Sequence, residues 1–285
     1  MTILSTSPNS DPFVIAMSIL LFAQLVVVWG QKNQLRLPQL GLLTVTALAL
    51  TLSKPEYLLL AIAICFIPGK LPTQTQKLYV RFVLPFLLIL TALLWNYEVN
   101  NITTAAAHLQ RGPSIVISES AQLKNVLLNP FRFLYITLKS ALENSWFNGI
   151  ISLLGYNFVV LPAVVIGYLA IILSWATIYK SKVKTTLSQD YKKGSIFLGV
   201  AILCAGSIVT ALYLAYNSVG SSTIGGVQGR YFLPVLPFFM YGLSYIIPIK
   251  MNMSKKWATL LFPASVIICL IISVAWYYKI TYLPL

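Results

Sequence analysis

QLGLLTVTALALTLSKPEYLLLAIAICFIP, residues 39–68, decides how this chain is threaded. Two apolar runs, 39–52 and 56–68, are separated only by Ser53-Lys54-Pro55. Proline lacks an N–H, clashes with the preceding helical turn, and pushes the residue before it out of the helical region. The stretch is therefore either one kinked span or a tight hairpin of two short helices. That choice sets the side on which every later segment emerges.

Charge placement selects the hairpin. Outward from it the apolar runs are 13–29, 82–97, 157–178, 195–217, 231–248 and 257–278, so about eight transmembrane or short membrane-embedded helices are expected. A hairpin puts loops 30–38, 69–81, 179–194 and 249–256 on one side, with thirteen cations from Lys32 and Arg36 to Lys255 and Lys256. The other side keeps seven, namely Lys54, Arg111, Lys124, Arg132, Lys139, Arg230 and Lys279, over many more residues. Short cytoplasmic loops collect Lys and Arg, so the expected orientation is N-out and C-out. A single kinked span would move the 69–81 cluster to the opposite face and blur the asymmetry.

Composition agrees. The 285 residues are 58% hydrophobic and 9% charged, with mean hydropathy +0.81. A soluble domain carries roughly a quarter charged residues. The expected fold class is all-α, a polytopic integral membrane protein whose residues 1–285 form a single membrane domain. Membrane lipids are its first expected partner. The net charge of +14 sits in short loops between apolar runs, which argues against nucleic acid as a partner. Cys65, Cys204 and Cys269 lie within apolar runs as small hydrophobes. One histidine, His108, cannot build a zinc site, so neither a metal nor a cofactor is expected.

On this threading, 98–156 forms one large external segment. Its stretch from Gln122 to Leu142 mixes apolar and aromatic residues with scattered cations, including Phe131, Arg132, Phe133, Tyr135 and Lys139. That pattern predicts a helix lying in the membrane interface.

Polar residues at the outer helix ends carry the functional signal. The sharpest cluster runs from Gly225 to Pro237, GGVQGRYFLPVLP. Three glycines, Gly225, Gly226 and Gly229, let the backbone turn tightly and approach a ligand. Arg230 follows at the outer start of a helix, where its guanidinium suits a phosphate. A snorkelling arginine after a glycine turn explains the same pattern without a ligand. The second cluster is Ser53-Lys54-Pro55-Glu56-Tyr57 at the hairpin tip. Lys54 there either pairs with Glu56 or holds a diphosphate as a point charge. Asp11 is expected to cap or charge the first helical turn. Glu98, Glu119 and Glu143 are expected on the external side with no fixed mutual geometry.

The run from Gly226 to Pro237 resembles the signature of a family of uncharacterised bacterial polytopic membrane proteins similar to the GT-C class of glycosyltransferases. Ser53 to Tyr57 resembles that family's lysine-proline hairpin tip. Ser145 to Pro162 resembles its external segment, and Asn9 to Phe13 is similar to the acidic opening of a GT-C helix. The resemblance implies a GT-C-like fold in the bacterial inner membrane and a role in envelope glycan assembly. The implied donor is a sugar on a polyprenyl phosphate. Arg230 and Lys54 would bind the phosphate, Gln228 and Tyr231 would contact sugar or phosphate oxygens, and Gly225, Gly226 and Gly229 would shape the turn. GT-C enzymes keep their catalytic acid in a first external loop. This chain looks like the C-terminal two-thirds of such a protein, so no catalytic residue is implied, and a partner could supply the preceding helices. A transporter or lipid flippase and a non-catalytic partner subunit are the alternatives.

Overall fold

The computed structural model describes residues 11–31, 34–67, 71, 73–110, 118–143, 146, 153–154, 159–160 and 187–246, with scattered helical positions between 264 and 279. Three helices are long and apolar enough to cross a membrane, over Asp11–Gly30, Gln74–Glu98 and Tyr191–Tyr216, with shorter apolar helices at Leu37–Ser53 and Pro55–Phe66. The architecture is that of an α-helical membrane protein.

Helix α1, Asp11–Gly30, opens with an acid in its first turn, where the helix dipole favours negative charge. Helix α2, Leu37–Ser53, has a proline at its start. Its hydroxyls are satisfied within the helix: Thr44, Thr46, Thr51 and Ser53 each donate to the carbonyl four residues back. In hydrocarbon a polar group must find an internal partner, and these need none from a neighbour. Gln24 on α1 nonetheless donates its Nε2 to Thr46 Oγ1 at 3.0 Å, joining the two helices.

Lys54 breaks the run with extended backbone, φ −155° and ψ 110°, as the following proline requires. The expected second short helix is not a regular helix. It is a 3-10 turn, Pro55–Tyr57, then α3, Leu58–Ala61, then a second 3-10 stretch, Ile62–Phe66. The chain then re-enters through α4, Gln74–Leu78, a π-turn at Tyr79–Val83, and α5, Leu84–Gln110. Tyr79 Oη lies 3.1 Å from Thr44 Oγ1, so this re-entry packs on the middle of α2. The helix expected at 82–97 is thus the central part of a longer rod.

The expected interfacial helix is two helices, α6, Glu119–Leu128, and α7, Pro130–Glu143, divided where Pro130 follows Asn129. Leu153–Leu154 pairs antiparallel with Val159–Val160, the one strand pairing among the described residues. The helix expected at 157–178 therefore does not begin as helix, because β-branched Val159 and Val160 are taken into this ladder; the rest of it lies outside the described residues. Helix α8 runs over Leu187–Tyr216. The seventh expected helix starts as a 3-10 turn, Gly229–Phe232, and becomes α9 at Leu236–Ile246.

Helices α8 and α9 pack backbone to backbone at Gly242. A Cβ there would lie 2.6 Å from the Leu198 nitrogen and 2.9 Å from the Gly194 carbonyl. Small residues allow such approach between membrane helices, where lipid removes the hydrophobic drive and van der Waals contact remains. Around this contact Phe22, Trp29, Phe197, Phe238 and Tyr241 form an aromatic core, with centroids 4.9–6.1 Å apart in mostly edge-on pairs. This core ties α1 to the α8–α9 pair. Ser18 of α1 adds a hydrogen bond to the Pro234 carbonyl just before α9.

Candidate functional site

The two basic clusters flagged in the sequence meet, and what joins them is Asp11. Lys54 Nζ forms an ion pair and hydrogen bond with Asp11 Oδ1. Arg230 Nε lies 3.2 Å from Asp11 Oδ2. The acid's side chain is 11% exposed and the two cations are 27% and 26% exposed. Lys54 therefore pairs with Asp11 and not with its near neighbour Glu56. The start of α1 stands beside the hairpin tip and supplies the carboxylate that Lys54 meets. Asp11 sits in the first turn as expected, and it also holds two cations.

Tyr231 forms the floor of this node. Lys54 Nζ is 5.0 Å and the Arg230 guanidinium carbon 5.5 Å from the centroid of its ring. A ring face attracts cations, more strongly where water is partly excluded. Tyr57 Oη donates to the Tyr231 carbonyl at 2.8 Å, so the hairpin tip also grips the backbone of the 229–232 turn. From the other side, Ser207 Oγ and Cys204 Sγ of α8 donate to the Glu56 carbonyl at 3.2 and 3.5 Å. Four segments that are remote in sequence converge here: the start of α1, the hairpin tip, the 229–232 turn and the middle of α8.

The remaining predicted residues shape the approach. Gly229 is buried and opens the 3-10 turn, for which Gln228 is the flanking residue, its carbonyl accepting from the Tyr231 N–H at 3.0 Å. Gly226 has φ +81°, a conformation that glycine adopts at little cost. Gly225 is fixed by Asn217, whose Oδ1 accepts its N–H at 2.8 Å. The node draws on Lys54, Arg230 and Tyr231; the glycines and Gln228 belong to the loop that delivers Arg230.

Asp11, Tyr57, Ser207 and Asn217 were missed as site residues. Asp11 alone carried a usable signal. It is an acid at the start of an apolar helix, expected on the same side as two isolated cations, and charges at a membrane boundary pair where they can.

What this arrangement can do follows from its charge. Two cations share one carboxylate beside an aromatic face, in surroundings poorer in water than bulk, and the Glu56 carboxylate lies close by on the hairpin tip. Electrostatic attraction is stronger there than in solvent. An anion entering there would compete with Asp11 for the same two cations. Among the described residues no group of His, Cys, Asp and Glu could hold a metal ion.

Fold and site together define an α-helical membrane protein with a charge node built from the start of α1, the hairpin tip and the 229–232 turn. A model of the family described as predicted membrane protein (DUF2142) matches residues 1–240, and the chain belongs to that family. No curated protein and no solved structure matches it.

Proposed function

We propose that this protein takes part in bacterial cell-envelope glycan assembly, as a GT-C-like component of the inner membrane that binds the phosphate of a polyprenyl-phosphate-linked sugar. The observation that carries this is the convergence of Lys54 and Arg230 on one carboxylate above the Tyr231 ring. An internal carboxylate held by two cations marks a place whose charge suits a phosphate. An incoming phosphate displaces Asp11 in part, Arg230 meets it with a planar fork of donors, and Lys54 meets it as a compact charge. Gln228 and Tyr231 contact sugar or phosphate oxygens, while Gly225, Gly226 and Gly229 let the backbone approach. This chain contributes binding, and no catalytic residue is assigned to it. N-out and C-out threading puts the node at the outer leaflet, where such a donor enters laterally.

A transporter needs ionisable groups along its path at mid-membrane. Among the described residues the charged side chains of the three long spans fall near the ends: Asp11, Lys77, Arg81, Glu98, Lys192 and Lys193. None of these six stands at the middle of its span, where a translocation path would need one.

The test measures polyprenyl phosphate binding to the reconstituted protein. Losing one charge-assisted contact costs on the order of 1.5–3 kcal/mol, about ten- to a hundredfold in affinity. Arg230→Ala should lose that much and Arg230→Lys less, since lysine keeps the charge but lacks the fork. Asp11→Asn removes the competing anion and should bind as well as wild type or better. Normal binding by Arg230→Ala overturns the proposal. So does parallel loss in Arg230→Ala and Asp11→Asn, which would make the node a structural tie alone.

A further inference from the structure

The outward face of α6–α7 carries an exposed apolar stripe that the charge node does not explain. On α7, Phe131, Leu134, Tyr135, Leu138 and Leu142 are all exposed, with Phe131 86%, Leu138 58% and Leu142 78%. At helical spacing these five fall within roughly 100° of arc, a single stripe. Leu127 and Leu128 at the end of α6 extend it and are equally exposed. The opposite face of α7 is occupied. Ile136 and Ser140 are buried, and Ile136 packs with Tyr213 and Val209 of α8, Trp146 and Ile224. Helix α7 therefore has two apolar faces, one covered by its own chain and one not.

We propose that the uncovered stripe lies in the lipid headgroup boundary, so that α6–α7 is an interfacial hairpin. Three observations commit the stripe to lipid. Arg132 and Lys139 stand together on one flank of it, at the angle between the two faces, where long stems cover apolar surface beside a headgroup boundary, with Lys139 Nζ 3.8 Å from Glu143 Oε1. The stripe is continuous with the span surface, because Gly220, which α6–α7 grips, follows the exposed Tyr216 and Val219 at the end of α8. The chain also belongs to a membrane-protein family, so a bilayer edge is present wherever α8 ends.

The hairpin is fastened to the loop that leads to Arg230. Arg132 Nη2 donates to the Gly220 carbonyl at 2.9 Å, and the Gly220 N–H donates to Gln122 Oε1 at 2.8 Å. Ser140 Oγ accepts the Ile224 N–H at 2.9 Å. Phe232, two residues after Arg230, joins the same inner core and stacks on Trp146 with centroids 6.4 Å apart. A hairpin seated on the lipid surface thereby fixes the height of the 220–232 loop relative to the bilayer. This holds whatever the node binds.

The test is a depth measurement on the full chain in vesicles containing anionic lipid, with Cys65, Cys204 and Cys269 replaced by serine. A fluorophore is attached at Leu138→Cys and, separately, at Leu142→Cys. Lipids carrying a nitroxide near the glycerol should quench both labels about twofold or more, as expected at the headgroup–acyl boundary, while aqueous iodide leaves them nearly unchanged. Strong iodide quenching with weak lipid quenching would overturn the proposal, because the stripe would then face water. Labels shielded from both quenchers at high protein density and lipid-exposed on dilution would overturn it too, since a second copy would be the occupant. Failure of both variants to fold would also count against it, as an uncovered stripe carries no internal packing.

Discussion

The loop from Asn217 to Tyr231 is held at its two ends by different chemistry. The early end is held by neutral groups and one exposed arginine: Asn217, Gln122, Ser140 and Arg132 bond to the backbone of residues 220–225. The late end adds charge, through Asp11 on Arg230 and Lys54, to the neutral bond from Tyr57 to the Tyr231 carbonyl. Neutral side chain-to-backbone bonds fix a loop's path and are indifferent to ions in solution. A charge node fixes position too, but any competing anion can reopen it. One end of the loop depends mainly on neutral bonds and the other on charge as well.

The largest expected effect comes from removing the shared anion. Asp11→Ala leaves two cations facing each other in a site where each is about a quarter exposed. Stranding a buried partner costs 3–5 kcal/mol, and partial exposure lowers this to about 2–3 kcal/mol. Denaturant unfolding in detergent should show that loss, and it should shrink in high salt or with added phosphate, which replace the missing charge. A loss unchanged by either would make the late end no different in kind from the early one.

Asn217→Ala attacks the early end and should cost slightly less, about 2 kcal/mol. Its side chain is buried and serves Gly225 and the Leu212 carbonyl, and a buried donor left unmet costs 1–3 kcal/mol. Here the same unfolding measurement should be independent of salt. The smallest effect belongs to Arg132→Ala, below about 0.5 kcal/mol, because its bond to Gly220 is exposed to solvent or headgroups. A large loss at Arg132 would move the charge-dependent part of the loop's anchoring to the wrong end.

Much of the fold is legible in the sequence because apolar run length and proline placement are local signals. The ends of α1 and α2 and the break at Lys54-Pro55 follow from them. The 3-10 character of 55–66 does not, since Leu, Ile and Ala serve either helix type and packing on α8 decides. Nor does the split between α6 and α7, because Pro130 suits the first turn of a new helix as well as it ends an old one. The α8–α9 contact rests on Gly242, one glycine inside an apolar run, and its partner backbone is remote in sequence. At the candidate site Lys54 and Arg230 stand out singly because cations are scarce outside the basic loops. Their meeting through Asp11 is a long-range contact with no periodic trace.

The node also implies a timetable. Asp11 and Lys54 are 43 residues apart, so they can pair soon after the hairpin leaves the ribosome. The gripping tyrosine at the hairpin tip and the turn it holds are separated by 174 residues. At about 5–20 residues per second, the second cation arrives roughly 10–35 s later. Through that interval the hairpin tip carries a neutral pair, the less costly form to seat at the bilayer edge. The node is completed only when the 229–232 turn docks, so its three charges come together long after the hairpin tip has formed.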